Sequence, residues 1–211
     1  MPRARKITGA IAAIAVWALV GASGAAATSC PNADVQASGL TTDQMESSIG
    51  CLINEQRTSF GLQPVQPNSD LRQAALSHSN EMVQEGYFEH TSPAGVTFID
   101  RIEQTGYMNK ARSWVVGENL VWGTGSWSTP DALVTAWMNS PPHRENLLRA
   151  RFTEIGIAAV KGTPESSTDG SGVTVSSEYG YRTFARKLRA SKAKAHKSRS
   201  HKHRRRLRHP V

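Results

Sequence analysis

Three histidines and one carboxylate carry most of the chemistry that residue type suggests between the charged ends of this chain. His90 lies in Gly86-Tyr87-Phe88-Glu89-His90-Thr91-Ser92-Pro93, His143 follows Ser140-Pro141-Pro142, and Glu118 sits in Gly117-Glu118-Asn119. Neutral imidazole suits zinc and related divalent ions, and a nearby carboxylate can steer the ring or a bound water. The two histidines are far apart in the chain and form no His-Glu-x-x-His unit, so spacing alone assigns no site. Ser92 and Ser140 lie near them and could act as nucleophiles. Neither sits in a Gly-x-Ser-x-Gly elbow, and no Asp offers itself to orient a histidine. His78, on a helix face, reads as structural.

Both histidines fall where helices are expected to end. Thr42 can cap a helix on which Met45, Ile49, Leu52 and Ile53 recur at three and four, running out near Phe60-Gly61. Asn68-Ser69 precedes a second helix with Leu71, Ala74, Ala75, His78, Met82 and Val83 inward and Gly86 as its stop. Thr97 with Asp100 resembles a capping box for a short third helix ending by Gly106. Thr129-Pro130 opens a fourth, and Pro141-Pro142 is expected to end it. Strands are expected at 118–122, 154–160, 173–177 and 179–185, with 162–172 as a hairpin loop. Helices first and strands later favours an α+β layer structure with an antiparallel sheet. Trp122, Trp127 and Trp137 read as core or cleft wall.

The formal charge of +8 hides a division by region. Arg3, Arg5 and Lys6 head the chain, and twelve cations with no acid occupy 185–211. Residues 28–184 keep ten cations against all seventeen acids, net −7. At 38% hydrophobic, the chain has enough apolar surface for that acidic body to build a core, which excludes wholesale disorder. Residues 1–27 read as an export signal: a basic start, an apolar stretch, then Ala25-Ala26-Ala27. The same stretch would also serve as an uncleaved anchor. After export, Cys30 and Cys51 are expected to pair, joining a 28–50 extension to the first helix. The basic tail suits an anionic wall polymer or a membrane surface. Nucleic acid is disfavoured, because no aromatic interleaves the charges.

Several motifs occur in one order: Asn54-x-x-Arg57, Ala75-x-x-His78-Ser79-x-x-Met82, Gly86-x-Phe88-x-His90-x-Ser92-Pro93, Arg101, Gly106-Tyr107, Gly117-Glu118-Asn119, Trp137-Met138-x-Ser140-Pro141-x-His143-Arg144-x-Asn146-Leu147-Leu148 and Phe152-x-x-Ile155-Gly156. Over residues 51–184 this resembles the CAP superfamily, in its exported bacterial SCP-domain branch. The resemblance implies an α-β-α sandwich, with a three-stranded antiparallel sheet between helical layers and a wide cleft. In that family two His and two Glu line the cleft and, in several members, hold a divalent metal such as zinc. The motifs carry the His pair onto His90 and His143 and one Glu onto Glu118, while the other Glu position falls on Ser140. That departure removes one carboxylate from the expected set and weakens any claim of paired-carboxylate catalysis. Arg101, Arg144, Asn119 and Asn146 are expected to brace loops.

These readings lead to a secreted or cell-surface protein that binds a ligand, glycan or partner in its cleft and holds a divalent metal weakly. A metal-assisted hydrolase is the alternative, with Glu118 as base. A third is a polycationic tail that does the main work, with the domain as its carrier.

Overall fold

Thr41, one residue ahead of the expected cap, opens the first helix. Its hydroxyl accepts from the Gln44 backbone while the Gln44 side chain accepts from the Thr41 N–H, a reciprocal box that Thr42 cannot make. The computed structural model describes residues 30–165 and 172–185. The 1–27 leader and all but the first residue of the 185–211 tail lie outside them. Helix α1 spans Thr42–Ser59. A two-residue strand, β1 (Gln66–Pro67), leads to α2 (Ser69–Glu85), capped by Asn68 and stopped by Gly86 in the left-handed region. The short α3 (Phe98–Gln104) carries the Thr97/Asp100 box. The long β2 (Ala111–Gly123) precedes α4 (Pro130–Asn139) and α5 (Pro141–Leu147), and β3 (Glu154–Lys161) and β4 (Val173–Phe184) are the last elements among the described residues.

The sheet runs β1-β3-β4-β2. The three long strands are antiparallel, as expected, but β1 adds a fourth that pairs parallel with β3, so the sheet is mixed. Two residues, one of them Pro, leave no strand signature in a sequence. Alternation along the strands sends one face to each helical layer. Ile49 and Ile53 of α1 and Leu133 and Trp137 of α4 pack with Ile155, Ile157, Val175 and Tyr179 on one side. On the other, Leu71 and Ala74 of α2 pack with Ile102 and Tyr107, and Ser79 bonds Ser176 across the layer boundary.

Three further expectations are corrected. Strand β2 begins at Ala111 rather than 118: Arg112, Ser113 and Trp114 are exposed, yet this half pairs with β4 apart from a register shift between Ala111 and Ser113. Strand β4 runs unbroken through Glu178 and joins the two strands expected at 173–177 and 179–185. Pro141-Pro142 does not merely end α4. It begins α5, since Pro suits the first helical positions.

Two fasteners hold the layers. Cys30 and Cys51 form a disulfide that pins the incoming segment to α1, their Cα atoms 5.6 Å apart. The buried guanidinium of Arg57 donates to the carbonyls of Gln63, Leu147, Arg149 and Phe152. That bonding ties the end of α1 to the α5–β3 connection. Among the described residues no helix is long and apolar enough to cross a membrane.

Candidate functional site

The outermost long strand, β2, positions the site because adjacent residues on it point to opposite layers. Glu118 faces α2 and α3, while Asn119 faces α5. Glu118 Oε1 lies 2.7 Å from His90 Nδ1, and its Oε2 lies 2.7 Å from the Arg101 guanidinium. A carboxylate can only accept, so Nδ1 of His90 must carry the hydrogen, leaving Nε2 as the outward ring atom. The loop bearing His90 is held by Arg101, which also donates to the carbonyls of His90 and Val96. Arg101 therefore braces the loop, as expected, and also supplies the buried charge that faces Glu118.

On the other layer, Asn119 donates to the His143 carbonyl at 2.9 Å, and Asn146 donates to the Glu118 carbonyl and to Asn119 Oδ1. His143 is in the first turn of α5. Ser140, the residue before that helix, makes no capping bond to its backbone; its hydroxyl lies 2.8 Å from His143 Nδ1 instead. Both imidazoles thus have Nδ1 engaged by a neighbour. Electrically they feel each other, for the charge of His90 helps hold the His143 pKa down.

Their environments push them apart. The hydrogen bond to Glu118, opposed by burial, raises the His90 pKa. Burial first, and then His90, lowers that of His143. His78 is fully buried, its ring 2.9 Å from the Glu89 carbonyl and 3.9 Å from Glu118, and burial lowers its pKa too. It is a structural histidine at the rear of the same cluster.

The sequence reading missed Glu178. It stands opposite Glu118 in the β2–β4 register, and both side chains are buried. Burial raises the Glu178 pKa well above the usual carboxylate range, and the neighbouring Glu118 charge raises it further. Among the described residues no other side chain or backbone group donates to its oxygens, so the Glu118 carboxylate is the neighbour its own proton can turn to. Glu118 is itself pushed up by burial, but His90, the Glu178 proton, Arg101 and His78 together bring it below its ordinary value. One buried carboxylate is ionised and one is protonated. The only sequence signal for Glu178 was an acid inside an otherwise apolar and small-residue strand.

A metal fits this donor set only loosely. Among the described residues, the one trio of His, Cys, Asp or Glu donors close enough to enclose an ion is Cys30, Cys51 and Glu55. Its sulfurs are already joined to each other. Glu118 is turned toward His90 and Arg101, so the two imidazoles are the donors on offer. Ser92 is buried, and its hydroxyl accepts from the Val96 N–H within its own turn. Trp137 is core, donating to the Leu120 carbonyl. Trp127 is not: it is 72% exposed beside a groove of about 320 Å³ that Trp122 also lines.

Residues 52–179 match the CAP, cysteine-rich secretory protein, family. The chain is 35% identical over 116 residues to the uncharacterized protein YkwD of Bacillus subtilis (strain 168), covering 55% of this chain and 42% of that one. It is 30% identical over 112 residues to the uncharacterized membrane protein YlbC of the same organism, covering 53% and 30%. It therefore spans less than half the length of either relative. Among solved structures it is similar to an outer surface protein from Borrelia burgdorferi, with a TM-score of 0.56 and 24% identity, over 68% of this chain and 97% of that one. The arrangement of motifs, the layered sheet and the matched residues agree, and the chain belongs to the CAP family.

Proposed function

We propose that this is an exported protein that binds a ligand, glycan or partner in the cleft over the outer edge of β2, with a divalent cation such as zinc held weakly by His90 and His143. One observation carries the reading. Glu118 accepts from Nδ1 of His90, which leaves its Nε2 for a ligand, and His143 offers Nε2 likewise when its Nδ1 donates to the Ser140 hydroxyl. The His90 side chain is 54% exposed, which leaves that atom within reach of solvent. A bound ion would supply Lewis acidity and open positions for ligand oxygens. Glu118 would act behind His90, fixing its tautomer. Export is supported by the 1–27 leader pattern and by the disulfide. The tail cations would retain the protein at an anionic surface.

Calorimetric titration of zinc into the purified protein tests the site. His90→Ala with His143→Ala should abolish binding, and Glu118→Gln should weaken it about 10–100-fold. Unchanged affinity in the double variant would overturn the assignment.

A second reading, a hydrolase, is favoured by the opposite pKa shifts of the two imidazoles, the pattern that separates an acid from a base. His90 would supply the proton and His143 would accept one. Activity on peptidoglycan or casein that disappears in the Glu118→Gln protein would promote it above binding.

A further inference from the structure

We propose that the open end of the β2–β4 ribbon is a docking edge for an anionic lipid bilayer, seating Trp114 and Phe184 in the headgroup region. The inference rests on the tail-tether reading and adds an apolar half to it. Beyond Gly180 the β3 strand no longer pairs with β4, so residues 181–184 are bonded to β2 alone. Trp114 stands opposite Arg182, and Phe184 is two residues further along, which places all three on one face. Trp114 is 42% and Phe184 56% exposed. The Arg182 guanidinium lies 5.5 Å from the Phe184 ring centroid and 4.1 Å from that of Tyr107.

Charge at this end departs from that of the body. Lys110 and Arg112 are exposed beside Trp114. Asp70 and Glu154, the acids next to Arg182, are paired with it. Directly after Phe184 and Ala185 the chain continues through Arg186 to Arg208 with twelve cations and no acid. Exposed aromatics flanked by Lys and Arg suit the membrane interface, where rings partition among headgroups and cations meet anionic lipid. Stable attachment of a peripheral protein takes two such signals together. A soluble polyanion such as a wall polymer would need only the charge and would give the two rings no role.

Co-sedimentation of the purified protein with vesicles of phosphatidylglycerol and phosphatidylcholine, against phosphatidylcholine alone, tests this. Binding should require phosphatidylglycerol. Trp114→Ser with Phe184→Ser should weaken it roughly tenfold and leave a remainder that disappears at high salt. Both side chains are only half covered, so an unchanged far-UV circular dichroism spectrum checks that the double variant is folded, and the Trp emission shift seen on adding vesicles should be lost in Trp114→Phe. If the double variant binds as well as the parent, the inference fails while the tether stands. If a chain ending at Ala185 binds as well as the parent, the tether itself fails. If purified teichoic acid is bound with the same dependence on Trp114 and Phe184, the lipid assignment is overturned.

Discussion

Glu118 and Glu178 face each other across the β2–β4 ladder, both shut off from solvent, and Arg101 bonds only the first. Two adjacent buried carboxylates cannot both ionise cheaply, so the one without a cation keeps its proton. In the folded state the Glu178 pKa lies well above its ordinary 4.5, so between those values the folded chain holds a proton that the unfolded chain has released. The stability contributed by that proton is present at low pH and is lost as pH rises through the folded pKa. Glu178→Gln, a neutral isostere that does not titrate, should melt with the parent near pH 4 and become progressively more stable than it as pH rises. Parallel melting curves across that range would rule out the protonated acid.

The histidine pair gives a second, spectroscopic outcome. Removing the carboxylate in Glu118→Gln should bring the His90 pKa down, since the bond to Glu118 is what raises it above 6.5. His90→Gln should raise the His143 pKa by removing a repelling charge. Ring-proton NMR titrations read both values. The raised His90 pKa contributes stability in full below its unfolded value and loses it as pH rises through the folded one. Metal affinity should run the other way, falling on acidification as His90 protonates. An His143 pKa indifferent to His90 would mean that the rings do not share a cleft.

Replacing Cys30 and Cys51 together by Ser should cost roughly 3 kcal/mol by the chain-entropy account of a loop of this size. The residues are separated by 21 positions. Urea midpoints of the oxidised parent and the double variant measure the loss. No change would mean that the segment ahead of α1 is held by its other contacts, such as the Asp131 bond to the Ala33 carbonyl.

Gly156 admits no side chain. A methyl there would collide with the backbone of Leu71 and Arg72, where α2 crosses β3 most closely. Backbone on both sides cannot step aside as a flexible side chain would, so Gly156→Ala should cost about 3 kcal/mol or more. A calorimetric melt within error of the parent would show that the two elements can separate without penalty.

Local signals were legible and cross-chain partners were not. Asn68, Thr97, Thr129 and Gly86 act where residue type placed them, because caps and stops are decided within a few positions. Thr41 and Thr42 differ only in which has Gln44 three residues on. The first half of β2 exposes Arg112, Ser113 and Trp114 and holds its conformation through β4, a partner far along the chain. Glu178 is the clearest case. An acid is out of place in a strand until Glu118 and Arg101 stand beside it, and no local pattern reveals those neighbours. The family motifs did supply His90, Glu118 and His143, but not the separation of Glu118 and Asn119 onto two layers, which follows from the alternation of an edge strand.

The chain order of the sheet has a consequence for how the molecule is made. An inner strand, β4, is also the last strand of the sheet to be made, and both β2 and β3 wait for it. Until Val173–Phe184 has emerged, neither helical layer has a finished surface to close upon. A nascent chain stopped short of Val173 should therefore be a substrate for proteases rather than a smaller domain.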